Sequence, residues 1–312
     1  MEFSHVSVLA RECMDALMPE RGGVYVDCTA GGGGHSFEIA RRLGADGRLV
    51  SLDRDDAALA ACEKRLSPFG DRVTLVKTNF SGIGAALDML GIDKIDGVMW
   101  DLGVSSYQLD EKERGFSYMA EAPLDMRMDQ SGGITAADVL NGYSESDLFR
   151  ILRDYGEEKF ASRIAREICA VRETEEIRTT TQLAEIVYRC IPAAARRKES
   201  QHPARRTFQA IRIEVNGELD AIAPSIEEAV RRLRPGGRAA VITFHSLEDR
   251  IVKQTFASLA SGCTCPPDFP VCVCGNKPKV QLLNKKPILP TEEEIRENPR
   301  SHSAKLRCAV KL

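Results

Sequence analysis

Three times in its first 101 residues the chain runs a short apolar segment into an aspartate, and that rhythm limits the fold more than any other feature. Val24-Tyr25-Val26-Asp27-Cys28 reads as a strand, Arg48–Asp53 as a second and Ile95–Asp101 as a fourth, with a third over residues 73–76. Helical segments lie between them. Residues 34–43 supply Phe37, Ile39, Ala40 and Leu43 as apolar positions, and residues 57–66 repeat Leu59, Cys62 and Leu66 near helical spacing. Strands alternating with helices through short connections predict βαβ units and a parallel α/β sheet. Ligands gather at the carboxyl edge of such a sheet, so Asp27, Asp53 and Asp101 are expected along one rim.

The rhythm breaks near Gln108 and does not return until after Pro203. Ser144 is placed as the N-cap of a helix. Phe160, Ile164, Ile168 and Val171 share one face of a helix over 157–172, and another helix over 181–191 is stopped by Pro192. This stretch reads as an all-helical insertion. A helix over 208–233, with a break at Asn216-Gly217, then leads through Arg234-Pro235-Gly236-Gly237 to a strand over 238–244, and Lys305–Lys311 reads as a last strand. The expected organisation is a sheet domain over 1–107 and 206–312, interrupted by a helical domain over 108–205.

Composition narrows the class. Apolar residues make up 43% and charged residues 29% of 312, which excludes wholesale disorder. Forty-three Lys and Arg against 46 Asp and Glu leave a net charge of −3, so any nucleic-acid site must be a local patch. No apolar stretch approaches the roughly 20 residues needed to span a bilayer, so no membrane partner is expected. The opening Met1-Glu2-Phe3-Ser4-His5 lacks the basic and apolar regions of a signal peptide, which predicts a cytoplasmic protein whose ten cysteines are reduced.

Asp27-Cys28-Thr29-Ala30-Gly31-Gly32-Gly33-Gly34-His35-Ser36 joins the first strand to the first helix. Four glycines allow a sharp turn and a close approach to a ligand. Asp53 ends the second strand twenty residues after Gly33, where an acidic group can accept both hydroxyls of an adenosine ribose. The dinucleotide fingerprint fails, because Ser36 stands where its third glycine belongs. A rim of carboxylates suits S-adenosylmethionine, which has no phosphate and carries a sulfonium cation. Phe80, after the third strand, can lay its ring against the adenine, or it is a plain core residue.

Asp101-Leu102-Gly103-Val104-Ser105-Ser106 follows the fourth strand. Methylating an amine needs in-line approach to the donor methyl and an acceptor that orients the amine and relieves its charge. Asp101 is placed for that role and equally for holding the methionine part of the donor. Arg196-Arg197-Lys198, Arg205-Arg206 and Arg212, with His202 and Phe208 among them, form a basic and aromatic cluster that can hold phosphates and stack on a base, or they make a solvated helix face. Cys263-x-Cys265 and Cys272-x-Cys274 could form a tetrahedral zinc site. The C-x-C spacing is tight for one ion, which favours free thiols or a reversible disulfide and no metal.

Further strings point to a family. They are His5-Val6-Ser7-Val8-Leu9, the glycine turn itself, Gln108-Leu109-Asp110, Arg114-Gly115-Phe116-Ser117, Pro123-Leu124-Asp125-Met126-Arg127-Met128-Asp129, Tyr155-Gly156-Glu157-Glu158, Thr207-Phe208-Gln209-Ala210, Phe244-His245-Ser246-Leu247-Glu248-Asp249-Arg250 and Ser303-Ala304-Lys305-Leu306-Arg307. Long, ordered and individually rare, they make the chain resemble, nearly end to end, the bacterial small-subunit ribosomal-RNA methyltransferase H family, also called MraW. The resemblance implies a class I S-adenosylmethionine-dependent methyltransferase fold with an inserted helical domain that recognises RNA. It implies methylation of the exocyclic N4 of a cytosine in 16S rRNA near the ribosomal P site. It places Gly33, Gly34, His35, Asp53, Phe80, Asp101 and Gln108 around the donor, the last two near its methionine end. Ser7, Tyr107, Arg205 and His302 depart from the family's usual Pro, Pro, Thr and Arg.

Two other readings compete. A DNA amino-methyltransferase would usually carry an Asp-Pro-Pro-Tyr type turn where this chain has Asp101-Leu102-Gly103. A non-catalytic RNA-binding assembly factor would have little use for Asp27, the glycine turn, Asp53 and Asp101 together.

Overall fold

The computed structural model describes residues 7–198, 201–262, 271 and 274–312. The chain divides into two compact units, one formed by Met1–Gly103 with Leu219–Leu312 and the other by Val104–Glu218.

The first unit is built on a seven-stranded sheet ordered β3-β2-β1-β4-β5-β7-β6. Its strands are β1 (Val24–Asp27), β2 (Arg48–Asp53), β3 (Val73–Lys77), β4 (Ile95–Asp101), β5 (Leu233–Thr243), β6 (Val280–Leu282) and β7 (Lys305–Lys311). The first five run parallel, and β7 joins β5 antiparallel with β6 beyond it. This is a Rossmann-like sheet with an antiparallel edge, the class I methyltransferase arrangement. The alternation of side chains along each strand feeds two cores. Val26, Val50, Val98, Trp100 and Val241 meet helices Ile83–Met89, Ile222–Arg232 and Ser246–Ala260 on one face. Tyr25, Leu49, Met99, Ala240 and Ile242 meet Cys13, Met14, Leu17 and Ile39 on the other.

The strand order reverses at β1, flanked by β2 on one side and β4 on the other. A crevice opens at the carboxyl ends of the strands at such a switch point. Asp27, Asp53 and Asp101 end the three strands that meet there.

The second unit holds helices and no named strand among the described residues. Helices Glu145–Asp154, Ala161–Arg172, Thr180–Cys190 and Arg205–Asn216 bury Leu148, Ile151, Leu152, Ile164, Ile168, Leu183, Val187, Phe208 and Ile211 in one core. Ser144 caps Glu145–Asp154 by accepting the Asp147 N–H.

Several boundaries differ from the sequence reading. The helix expected from residue 157 begins at Ala161, because Glu157 has φ of 47° and turns the chain first. The helix expected from residue 208 begins at Arg205, and it is broken where expected, at Gly217, whose φ of 58° favours glycine. That break also moves the second unit's limit to Glu218 from the expected residue 205, since Arg205–Asn216 packs Phe208, Ala210 and Ile211 into the helical core. Strand β6 carried too little pattern to be read. Strand β5 pairs first at Leu233, opposite Ile95, and then skips to Arg238 opposite Gly97.

Candidate active site

The glycine turn is fixed from beneath by Asp27. Its carboxylate is fully buried and accepts the Thr29 N–H at 3.1 Å and the Ser36 hydroxyl at 2.7 Å. The Ser36 hydroxyl in turn lies 2.8 Å from that of Ser51 on β2. Burial pushes the Asp27 carboxyl up, against the lowering influence of His35 and of these two hydrogen bonds. Asp27 is thus an anchor of the turn; it does not stand on the rim where the sequence placed it.

Gly33 adopts φ of 74°, and a Cβ there would lie 3.1 Å from the Cys62 sulfur. Its carbonyl accepts the Phe37 N–H at 2.9 Å, which starts helix Gly34–Ala40. A Cβ on Gly34 would collide with the Ser7 hydroxyl.

His35 is buried at the start of that helix, with Nε2 at 3.6 Å from Oδ2 of Asp101. That separation is an ionic contact too long for a hydrogen bond. Both ring nitrogens of His35 and Oδ1 of Asp101 are buried without a hydrogen-bond partner among the described residues. Burial by itself would lower the imidazole pKa, but the carboxylates of Asp101 and Asp27 outweigh it and hold it above the usual histidine value. Asp101 is held in place through its backbone, whose N–H donates to the Thr29 hydroxyl at 2.6 Å.

Asp53 ends β2 and accepts the N–H groups of Gly31 at 2.8 Å and Asp55 at 2.9 Å, one on each oxygen. A carboxylate has about four acceptor positions, so about two remain for hydroxyls. Burial pushes its pKa up to about 6, against the lowering effect of those two backbone bonds. Phe80 lies just past β3, half-buried at the core's margin. It is pinned by a relay: the Trp100 indole donates to the Ser225 hydroxyl at 2.9 Å, and that hydroxyl donates to the Phe80 carbonyl at 2.9 Å. Nothing in a linear motif announces Ser225, which lies 125 residues from Trp100.

Beside Asp101, β4 and β5 end together, with Asp101 opposite Ile242 and the Leu102 N–H donating to the Ile242 carbonyl at 3.1 Å. Two residues past the end of β5, His245 caps helix Ser246–Ala260 and Glu248 completes a capping box. A Cβ on Gly103 would lie 3.8 Å from both Glu248 Oε1 and the Phe244 ring. The sequence reading quoted this segment without giving it a role.

Gln108 belongs to the helical unit. It is buried, and its Oε1 accepts the Ser105 N–H at 3.0 Å in the capping box of helix Ser106–Asp110. The basic cluster is partly spent on structure. Phe208 is in the helical core, and Arg212 forms a two-pronged pair with Glu218 at 2.8 and 2.9 Å, so neither contributes to a phosphate site. Arg197, Lys198 and His202 are exposed, and His202 stacks on Tyr118 with ring centres 4.5 Å apart. Of the four cysteines weighed for zinc, Cys263, Cys265 and Cys272 lie outside the described residues, and Cys274 is exposed.

The orphaned nitrogens of His35, the open oxygen of Asp101, the half-engaged Asp53 and the Phe80 ring fit one ligand. It has a ribose, an aromatic base and a polar, cationic end. Together with the strand order they define a methyltransferase that takes S-adenosylmethionine. The family profile of the MraW methylases matches residues 2–312, and the chain belongs to that family. It is 58% identical over 312 residues to a "Ribosomal RNA small subunit methyltransferase H" of Symbiobacterium thermophilum, spanning 100% of this chain and 98% of the relative. It is 57% identical to the protein of that name from a Paenibacillus species over 99% of this chain and 100% of the relative. The like-named protein of Heliobacterium modesticaldum is 54% identical, with 100% of each chain covered.

Proposed function

We propose that the protein methylates the exocyclic N4 of a cytosine in 16S rRNA, in the P-site or decoding region of the small ribosomal subunit or an assembly intermediate. The observation that carries the reading is the His35–Asp101 pair at the switch point, with Asp101 Oδ1 buried and open toward a hydrogen-bond donor. An amino group is such a donor. The names of the relatives favour ribosomal RNA as its carrier.

When bound, S-adenosylmethionine supplies an activated methyl group on a sulfonium. Gly33 and Gly34 would give its amino-acid end backbone to lie against, with His35 and Asp101 as polar partners. Asp53 takes the two ribose hydroxyls, and Phe80 lies against the adenine. Asp101 Oδ1 accepts one N4 hydrogen, which aims the nitrogen lone pair at the methyl carbon. Accepting a methyl group would place positive charge on N4, which the Asp101 carboxylate would stabilise, and N4 would release a proton that the same carboxylate would receive. Positioning alone is worth up to about 7–11 kcal/mol, so no strong base is needed. His35, beside Asp101, orients that carboxylate. The helical unit Val104–Glu218 recognises the RNA, with exposed Arg197, Lys198 and the Tyr118–His202 stack as contacts. The target base must be extruded or single-stranded to reach the site. The reaction belongs to the cytoplasm. Among the described residues no helix is long and apolar enough to cross a membrane.

Mass-spectrometric mapping of small-subunit rRNA from cells with and without the protein tests this, and loss of one N4-methylcytosine is expected. An unchanged map, or tritiated methyl transfer to DNA in preference to small subunits, overturns it. Asp101→Ala is expected to slow methyl transfer about 10²–10⁴-fold while the protein still binds RNA. A variant that binds donor and RNA and transfers at the normal rate removes Asp101 from the mechanism.

A further inference from the structure

The His245–Glu248 pair lies one strand over from Asp101 and has no part in the chemistry above. Its geometry fixes more than a helix cap. His245 Nδ1 accepts the Glu248 N–H, so the proton of a neutral ring sits on Nε2. Glu248 is buried, and its Oε2 accepts the N–H groups of Phe244 at 2.7 Å and His245 at 3.2 Å. Its other oxygen is 3.1 Å from Nε2, yet Nε2 has no hydrogen-bond partner among the described residues. The His245 side chain is 8% exposed. A helix cap alone requires only one acceptor atom; serine or asparagine supplies it without burying an unmet donor. The surplus is an oriented N–H at the joint carboxyl edge of β4 and β5, two residues past the last residue of β5.

We propose that His245 is a specificity-determining residue whose Nε2–H donates to the ring nitrogen next to the target amine, N3 of cytosine. The assignment rests on the cytosine reading above. Asp101 and His245 then form a complementary pair, an acceptor for the N4 hydrogen and a donor to N3. Cytosine in its amino form satisfies both. Uracil presents an oxygen and an N–H at these positions and meets each group with the wrong polarity, which leaves two buried groups unpaired. Glu248 acts through His245 as a positioning residue, since its carboxylate fixes both the loop backbone and the side of the imidazole.

Small subunits reconstituted with cytidine or 3-deazacytidine at the target position test this directly, because the analogue keeps N4 and replaces N3 by C–H. The wild-type protein is expected to lose about 10- to 100-fold in kcat/KM on the analogue, the scale of one specific base contact. His245→Ser keeps a capping oxygen and removes Nε2. It is expected to lose a similar factor on cytidine, to lose little more on 3-deazacytidine, and to bind S-adenosylmethionine as the wild type does by calorimetry. A purely structural His245 gives losses that multiply. Equal wild-type rates on both substrates overturn the assignment whether or not the variant folds, and so does an Nδ1-protonated ring in the ¹⁵N spectrum of the free protein. Failure to methylate the unmodified cytosine counts instead against the cytosine reading itself.

Discussion

In the sheet unit the ring nitrogens of His35, the Oδ1 of Asp101 and the Nε2 of His245 are buried with no hydrogen-bond partner among the described residues. In the helical unit comparable groups spend themselves on named acceptors. Arg114 donates to the carbonyls of Arg127 and Met128 at 2.9 Å each. Asn141 donates to the carbonyls of Ala137 and Ile177 and accepts the Ile177 N–H. Arg212 grips Glu218. A buried polar group without a partner costs about 1–3 kcal/mol, so a fold keeps such groups only where something else meets them. The contrast separates a surface prepared for a ligand from a scaffold that satisfies most of its own interior, where one nitrogen of Arg114, its Nε, and the Thr207 hydroxyl are exceptions.

The sharpest way to break the contrast is to damage the scaffold and look for an effect on the donor. Ile151 is fully buried in the helical core, so Ile151→Ala is expected to cost about 2–5 kcal/mol of that unit's stability. Donor affinity, measured by calorimetry below the unfolding transition, should stay unchanged. A tenfold loss would show that the two units do not divide the work as described.

A smaller effect belongs to Asp53. Its pKa of about 6 means that lowering the pH from 7 to 5 protonates most of the group. The carboxylate is the form that accepts hydroxyls, so donor affinity is expected to fall about tenfold per pH unit below 6. The effect on stability has the opposite sign. A raised carboxyl pKa favours the folded state at low pH, and that gain is lost as pH rises through about 6. Asp53→Asn should weaken binding at pH 7 and flatten its pH profile. A profile that keeps its inflection assigns the titration to another group.

The smallest effect sharpens the contrast from outside. Arg153 and Asp154 form a bidentate pair on the exposed surface of the helical unit. Such pairs contribute little, so Arg153→Ala should leave the unfolding temperature and methyl transfer nearly unchanged. A marked loss of transfer with normal folding would instead put Arg153 on the RNA surface.

Much of the sheet unit was legible because its signals are local. Apolar runs ending in Asp27, Asp53 and Asp101 mark strand ends whatever surrounds them, and the glycine run marks the turn between. In the helical unit the helix start at Ser144 carries its own cap. What stayed hidden depends on partners far along the chain. Phe208 and Arg212 read as surface residues until the helical core and Glu218 claimed them. Asp27 read as a rim group until the Ser36 and Ser51 hydroxyls drew it under the turn.

By itself the sequence determined the alternation of strand and helix, the interruption after β4, the acidic strand ends and the family to which the chain belongs. Those features follow from backbone periodicity and from motifs a few residues long. Only the tertiary structure decided which polar groups are satisfied and which stay open, because that depends on atoms brought within about 3 Å from distant segments. Trp100 reaching Ser225 beneath Phe80, and His35 meeting Asp101, exist only once the sheet has closed against its helices.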